Sequence, residues 1–354
     1  MPPDTSTALF PLGRKFAQIA YSSGADWLTA GRPRDLQPTP YAVVLEDNGA
    51  RLLRFVGEPG PAGRRPVLLV PSMINRWYVL DLRPRASLVA ALLSAGLDVF
   101  CLDWGAFGDE DRYLTWDDVI ARLVRMARAT LRISGNEHLG VLGYCMGATL
   151  SSIYAALHPE RVAALVNLAG PIDFAQAGAL AVQTDARWFD AHAVAAAGNV
   201  APQHMQSGFS ALRPTLQWAK WVGLADRFDD DLAVDAFAAL ETWANDNVAF
   251  PAAAYTTYIG ELYQRNALVQ GRHVVSGRRV DLGAIRCPTL VVTANRDTIC
   301  PPRAAEALLD CCGAKKKLVV QVAGGHVGAV VGGRAARDLY PRIAAWFTEQ
   351  AAPD

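Results

Sequence analysis

The chain carries no excess of charge of either sign: 34 Lys+Arg offset 34 Asp+Glu over 354 residues. A nucleic-acid surface needs a basic patch and a solvating tail needs an acidic run, and neither is present; no nucleic acid is expected as a partner. Cysteine is scarce, at six residues. None forms a C-x-x-C pair, and no Cys/His cluster has zinc-like spacing, so no metal is expected and the compartment reads as reducing. No run of 18 apolar residues could span a bilayer, and no signal-peptide hydrophobic region opens the chain. The expected location is cytoplasmic, at most peripheral to an apolar surface. Internal repeats and low-complexity linkers are missing too. Apolar residues, by contrast, reach 51% against 19% charged, enough for a sizeable core of the kind α/β folds build at this length.

Strand-like and helix-like patterns alternate along most of the chain. Residues 1–38 show a weak amphipathic pattern between Leu9 and Thr29, read as a helix on the outside of the domain. Tyr41 to Glu46 and Ala50 to Phe55 flank Asp-Asn-Gly and predict a β-hairpin. Apolar runs at 66–71, 97–105, 138–142, 161–171, 288–294 and 317–322 predict buried strands. Helices are predicted over 86–94, 116–132, 146–157 and about 335–350. This alternation implies a mostly parallel sheet with helices on both faces and right-handed crossovers. It stops after Pro171. Between 172 and 270 the chain is rich in Ala, Trp and Phe, with helical stretches near 210–223, 231–245 and 252–269, and reads as an inserted cap. The expected parse is an N-terminal helical segment (1–38), a core (39–171 and 271–354) and a helical cap (172–270).

The stretch V-L-G-Y-C-M-G-A-T-L, 141–150, organises the rest. Gly143 and Gly147 flank Cys145 at the spacing of a nucleophile elbow, between a predicted strand and a predicted helix. The turn would hold the sulfur at a helix N-terminus, where backbone amides and the macrodipole favour thiolate. Taken alone, G-x-C-x-G reads equally as a buried cysteine in a strand–helix turn. The partners come later in the chain. Asp297, in A-N-R-D-T-I-C-P-P, and His326, in A-G-G-H-V-G, each directly follow a late predicted strand, in the order nucleophile, acid, histidine. Asp103 in L-D-W-G is the rival acid and is assigned a structural role; Cys101 and Cys287 read as inert core thiols. The set Cys145, Asp297 and His326 points to attack of a thiol on an acyl carbonyl. The oxyanion would be held by the amides of Met146 and of Ile74, in the Ser72–Asn75 loop.

These blocks together resemble the polyhydroxyalkanoate synthases, and within them the short catalytic subunits of the two-subunit type, an α/β-hydrolase family. V-P-S-M-I-N-R-W-Y-V-L-D-L-R-P, L-D-W-G, D-R-Y-L-T-W-D-D, G-Y-C-M-G-A-T-L, E-L-Y-Q-R-N-A-L-V-Q-G, R-D-T-I-C-P-P and G-G-H-V-G all resemble the family's segments, from about residue 38 onward. Ala148 stands where the family box usually has a second glycine, and W-A-N-D-N-V-A-F-P replaces a W-x-x-D-x-P-D segment. The resemblance implies an acyltransferase that polymerises (R)-3-hydroxyacyl-CoA, most simply 3-hydroxybutyryl-CoA, and releases coenzyme A. Cys145 would carry the chain as a thioester and His326 would activate the thiol. Asp297 would help deprotonate the incoming 3-hydroxyl, beyond or instead of orienting the histidine. The resemblance further implies no cofactor beyond the coenzyme A thioester substrate, a second synthase subunit, a homodimer or hetero-oligomer, and contact with a polymer granule surface. A thioesterase or ester hydrolase of the same fold is the alternative. Trp218, Trp221 and Phe228 read either as cap core or as gate residues of a dry entrance.

Overall fold

Eight strands form the main sheet of the computed structural model, which describes residues 35–57, 64–212, 226 and 230–350. They are β1 (Tyr41–Asp47), β2 (Ala50–Phe55), β3 (Pro66–Val70), β4 (Asp98–Asp103), β5 (Leu139–Tyr144), β6 (Val162–Leu168), β7 (Thr289–Ala294) and β8 (Lys317–Val322). In space they run β1-β2-β4-β3-β5-β6-β7-β8. β2 is antiparallel to β1 and β4, and every other neighbour pair is parallel. The hairpin between β1 and β2 turns on Asn48 and Gly49, both at positive φ (48° and 81°), as a two-residue turn of this hand requires. The helix read between Leu9 and Thr29 lies outside the described residues, as do Trp218, Trp221 and Phe228.

The continuous apolar runs become fully buried strands because side chains of alternate residues point to opposite faces. Leu68, Val70, Phe100, Leu102 and Val141 pack on one face; Val67, Leu69, Val99, Cys101 and Leu142 pack on the other. Helices cover both. Helix α1 (Leu88–Ser94) starts at Ser87, whose hydroxyl accepts from the amide of Ala90. The predicted helix starts two residues earlier, at Ala86, but Ala86–Ser87 pairs as a short strand with Asp81–Arg83. Helix α2 (Trp116–Ser134) opens on a Thr115/Asp118 capping box and stops at Gly135 in the left-handed region, a start and stop legible in the residues. All twelve residues of α3 (Met146–Leu157) are buried, which an apolar helix needs.

Between β6 and β7 the described chain adds no strand to the main sheet. It forms α4 (Pro202–Ala211), α5 (Asp231–Asn245), α6 (Ala252–Thr257) and a π-helical segment, Tyr258–Gln264, so the single helix predicted over 252–269 changes its winding midway. Polar ties fix this insert onto the loop after β3. Asp246 accepts from Arg76 (3.0 Å) and the Tyr78 hydroxyl (2.8 Å), and the Trp243 indole donates to the Arg76 carbonyl (2.9 Å). Asn75 forms a β-bridge to Asn247, and the Val248 amide donates to the Ile74 carbonyl at 3.3 Å. Helix α7 (Pro302–Cys311) follows β7, and α8 (Tyr340–Glu349) packs near α1.

Candidate active site

Parallel neighbours deliver their following loops to one edge of the sheet, and β5, β7 and β8 carry the three predicted residues there. Cys145 follows β5 at φ 56°, ψ −128°, a sparsely populated conformation that costs on the order of 1–3 kcal/mol. Surrounding structure over-determines it. The Cys145 amide donates to the Leu168 carbonyl at 3.0 Å, and its own carbonyl accepts from Ala148 at 2.9 Å. The flanking glycines are forced by close approach: a Cβ on Gly147 would sit 1.9 Å from the Val70 carbonyl oxygen, and one on Gly143 2.3 Å from the Ala148 Cα. The elbow presses against β3, and only hydrogen fits between.

Asp297 is locked before it meets the histidine. Its Oδ1 accepts from the amides of Ile299 and Cys300, each at 2.9 Å. Its Oδ2 is 2.6 Å from His326 Nδ1, which places the proton of that short charge-assisted bond on the ring nitrogen facing the carboxylate. The imidazole also stacks on Tyr144, centroids 5.4 Å apart at 26°. Its Nε2 is buried and has no hydrogen-bond partner among the described residues, while the charge of the nearby Cys145 sulfur acts on the ring. Burial alone would push the imidazole down from the usual histidine range. The negative sulfur of Cys145 and the Asp297 carboxylate, with the hydrogen bond to Asp297, outweigh burial and raise His326 to about 10. Ion pairing of this kind keeps the imidazolium charged at neutral pH when the thiol is ionised.

Beside the sulfur lies a cavity of about 550 Å³. Its wall is mostly hydrocarbon and ring: Ile74, Met146, Phe250, Tyr255, Tyr258, Tyr263 and Ile299 line it with Cys145. The insert supplies most of the roof. Met146 is the first residue of α3, a position whose amide has no partner within its own helix. The Ile74 amide reaches only the Ser72 hydroxyl, at a long 3.5 Å. Both amides therefore belong to the cavity wall with donor capacity to spare, and the Asn75–Asn247 bridge holds the Ile74 loop in place.

Asp103 stands apart from this constellation. It accepts from Arg51 Nη2 at 2.6 Å and from the Gly105 amide at 3.0 Å, which joins β2 to β4. Burial pushes the Cys101 thiol far up and the Cys287 thiol to about 12, so neither ionises near neutrality. Sequence reasoning missed Tyr258 and Tyr263 as cavity residues. The E-L-Y-Q-R-N segment signalled importance, but the π turn that aims its rings has no reliable residue signature. No group of three or more His, Cys, Asp or Glu side chains suited to a metal ion occurs among the described residues, and no described helix is long and apolar enough to cross a membrane.

Two family models match the chain: the alpha/beta hydrolase fold over residues 65–332, and the poly-beta-hydroxybutyrate polymerase (PhaC) N-terminus over residues 23–92. Similar curated proteins are named poly(3-hydroxyalkanoate) polymerase subunit PhaC. The one from Synechocystis is 33% identical over 93% of this chain and 90% of its own, and that from Allochromatium vinosum 31% over 89% and 90%. The Haloferax mediterranei protein is 33% identical over 88% of this chain, which spans 64% of that relative's length. Solved structures agree on the fold alone. A monoacylglycerol lipase from Paleococcus ferrophilus gives TM-score 0.52 at 13% identity, over 82% of this chain and 97% of its own. A hydrolase from Pseudomonas aeruginosa gives 0.52 at 17%, over 87% and 98%. With the eight-stranded sheet, the elbow, the two family models and the relatives in agreement, the chain belongs to the PhaC family of poly(3-hydroxyalkanoate) polymerases, acyltransferases built on the α/β-hydrolase fold.

Proposed function

We propose that this chain polymerises (R)-3-hydroxyacyl-CoA through a covalent thioester on Cys145. The observation that carries the proposal is a cysteine in an elbow beside a buried Asp297–His326 pair, opening on a largely apolar cavity. In the first step the Cys145 thiolate attacks the thioester carbonyl, and the Met146 and Ile74 amides receive the oxyanion. The bond from the carbonyl carbon to the coenzyme A sulfur breaks, and coenzyme A leaves with a proton from His326. In the second step the 3-hydroxyl of another unit attacks the Cys145 thioester. Its proton passes to the His326–Asp297 pair, an ester bond forms, and Cys145 is released as thiolate. Thioester exchange is nearly isoenergetic, so the demand left to the protein is exclusion of water, which a hydrocarbon wall supplies.

No cofactor beyond the coenzyme A thioester is required by this chemistry. The relatives are named as subunits, which supports a second synthase subunit as partner, and a growing insoluble polymer supports a cytoplasmic site at a granule surface. A thioesterase would share the first step and differ in the second. Incubation of the purified chain with 3-hydroxybutyryl-CoA, following coenzyme A release and turbidity together, separates the two. Release with insoluble polymer is expected; release with only free 3-hydroxybutyrate would establish hydrolysis instead.

A further inference from the structure

The polar side chains on the cavity wall are Gln183, Thr184, His204 and the phenols of Tyr255, Tyr258 and Tyr263; of the phenols, Tyr258 and Tyr263 are the two on which the Cys145 sulfur acts. They stand five residues apart in the π-helix Tyr258–Gln264. Residues five apart on an α-helix point about 140° away from each other. The wider π turn brings these two together instead, ring centroids 5.5 Å apart at 76°, and such turns recur at functional sites.

The two rings have different surroundings. Tyr258 is enclosed by other rings, stacked on Trp116 at 5.4 Å and edge-on to Phe174 at 5.8 Å. Its ring packs edge-on against that of Tyr263. Tyr263 is half-buried and keeps its own O–H, for which the described residues offer no acceptor. Burial, and next the Tyr263 hydroxyl for Tyr258 and the Cys145 sulfur for Tyr263, push both phenols far above neutrality, so both stay protonated donors.

A 3-hydroxyacyl group on Cys145 has two oxygens to satisfy. The carbonyl oxygen is served by the Met146 and Ile74 amides. The 3-oxygen lies in a mostly hydrocarbon cavity, and a polar atom left unpaired there is costly. We infer that Tyr263 donates its O–H to the 3-oxygen of the acyl group on Cys145, so that this wall of the cavity selects 3-hydroxyacyl thioesters over acyl thioesters with no oxygen at that carbon. This rests on the acyl-enzyme reading above and adds a specificity determinant to it.

The test is single-turnover coenzyme A release from 3-hydroxybutyryl-CoA and from butyryl-CoA, by the full chain and by Tyr263→Phe. The readout is the ratio of the two rates within each preparation, which partial unfolding cannot move. The wild type is expected to prefer the hydroxylated thioester, and Tyr263→Phe to lower that preference about tenfold, the usual yield of one lost hydrogen bond to a bound hydroxyl. Tyr258→Phe, which removes the phenol hydroxyl beside Tyr263, is expected to lower it by less, and serves if Tyr263→Phe does not fold. A wild-type burst from both thioesters with the ratio unchanged in the variants would overturn the inference alone. No burst from either thioester in the wild type would overturn it together with the acyl-enzyme reading.

Discussion

Replacing Gly147 by alanine perturbs the elbow at its tightest point. The new Cβ would stand 1.9 Å from the Val70 carbonyl oxygen and 2.6 Å from that of Pro71, where ordinary van der Waals contact is roughly 3.5 Å. Relief requires the elbow and β3 to part by more than about 1 Å. Neither side gives easily. Val70 is paired to Gly143 in the sheet, and α3 is buried along its whole length. Overpacking of this sort costs about 1–3 kcal/mol, and the clash is with backbone, so the upper end applies. For a chain of 354 residues that is a fall in Tm of roughly 4 °C. The chemistry should suffer more, because the separation moves Cys145 away from the Ile74 amide, and a misplacement of about 1 Å costs on the order of 100-fold. Thermal unfolding and single-turnover coenzyme A release measure the two effects. Gly208→Ala is the control for the stability readout alone, since Gly208 also lines the cavity: it sits in α4 with nothing within 4 Å of its would-be Cβ, so it should gain about 0.5–1 kcal/mol. Wild-type Tm and acylation rate in Gly147→Ala would refute the elbow argument.

Further outcomes follow from the same geometry. His326 is raised in the fold to about 10, so its contribution to stability is fully present below the usual histidine range and is lost as pH rises through about 10. The Tm difference between wild type and His326→Gln should therefore shrink from pH 6 to pH 10; parallel melting curves would show that the imidazole carries no charge at neutrality. Asn247→Ala removes the side-chain partner of Asn75 and loosens the Ile74 loop, so kcat should fall several-fold with a smaller change in Tm. An unchanged kcat would place the oxyanion donor elsewhere. Asp297→Ala should slow elongation more than first acylation; equal losses in single-turnover and steady-state assays would assign it to orienting His326 alone.

The parts of the site legible in the sequence are those tied to punctuation. Glycines two residues either side of Cys145 reflect a backbone contact that no other residue allows. Asp297 and His326 follow apolar runs short enough to be only strands, so their place at the sheet edge is inherited from topology. The elbow strand itself extends two residues beyond the predicted end, to Tyr144, because Gly143 looks like a turn residue yet pairs with both Val70 and Asn167. Ser87 is likewise ambiguous: its strand pairing depends on buried Asp81, which also accepts from its hydroxyl and from Thr39. The Tyr258–Tyr263 pair was not legible for a different reason. Helical periodicity assumes 3.6 residues per turn, and the segment that aims these rings winds more widely. Local residues set the framework, while the insert's grip on the Ile74 loop, through Asn247 and Val248, joins positions more than 170 residues apart.

The most direct test of the account is peptide mapping by mass spectrometry of the chain quenched after brief exposure to 3-hydroxybutyryl-CoA. A 3-hydroxybutyryl adduct, or a short ladder of such units, is expected on the peptide that contains Cys145 and on no other, and it should vanish in Cys145→Ala. An adduct on a different residue, or one that persists in Cys145→Ala, would contradict covalent catalysis at the elbow.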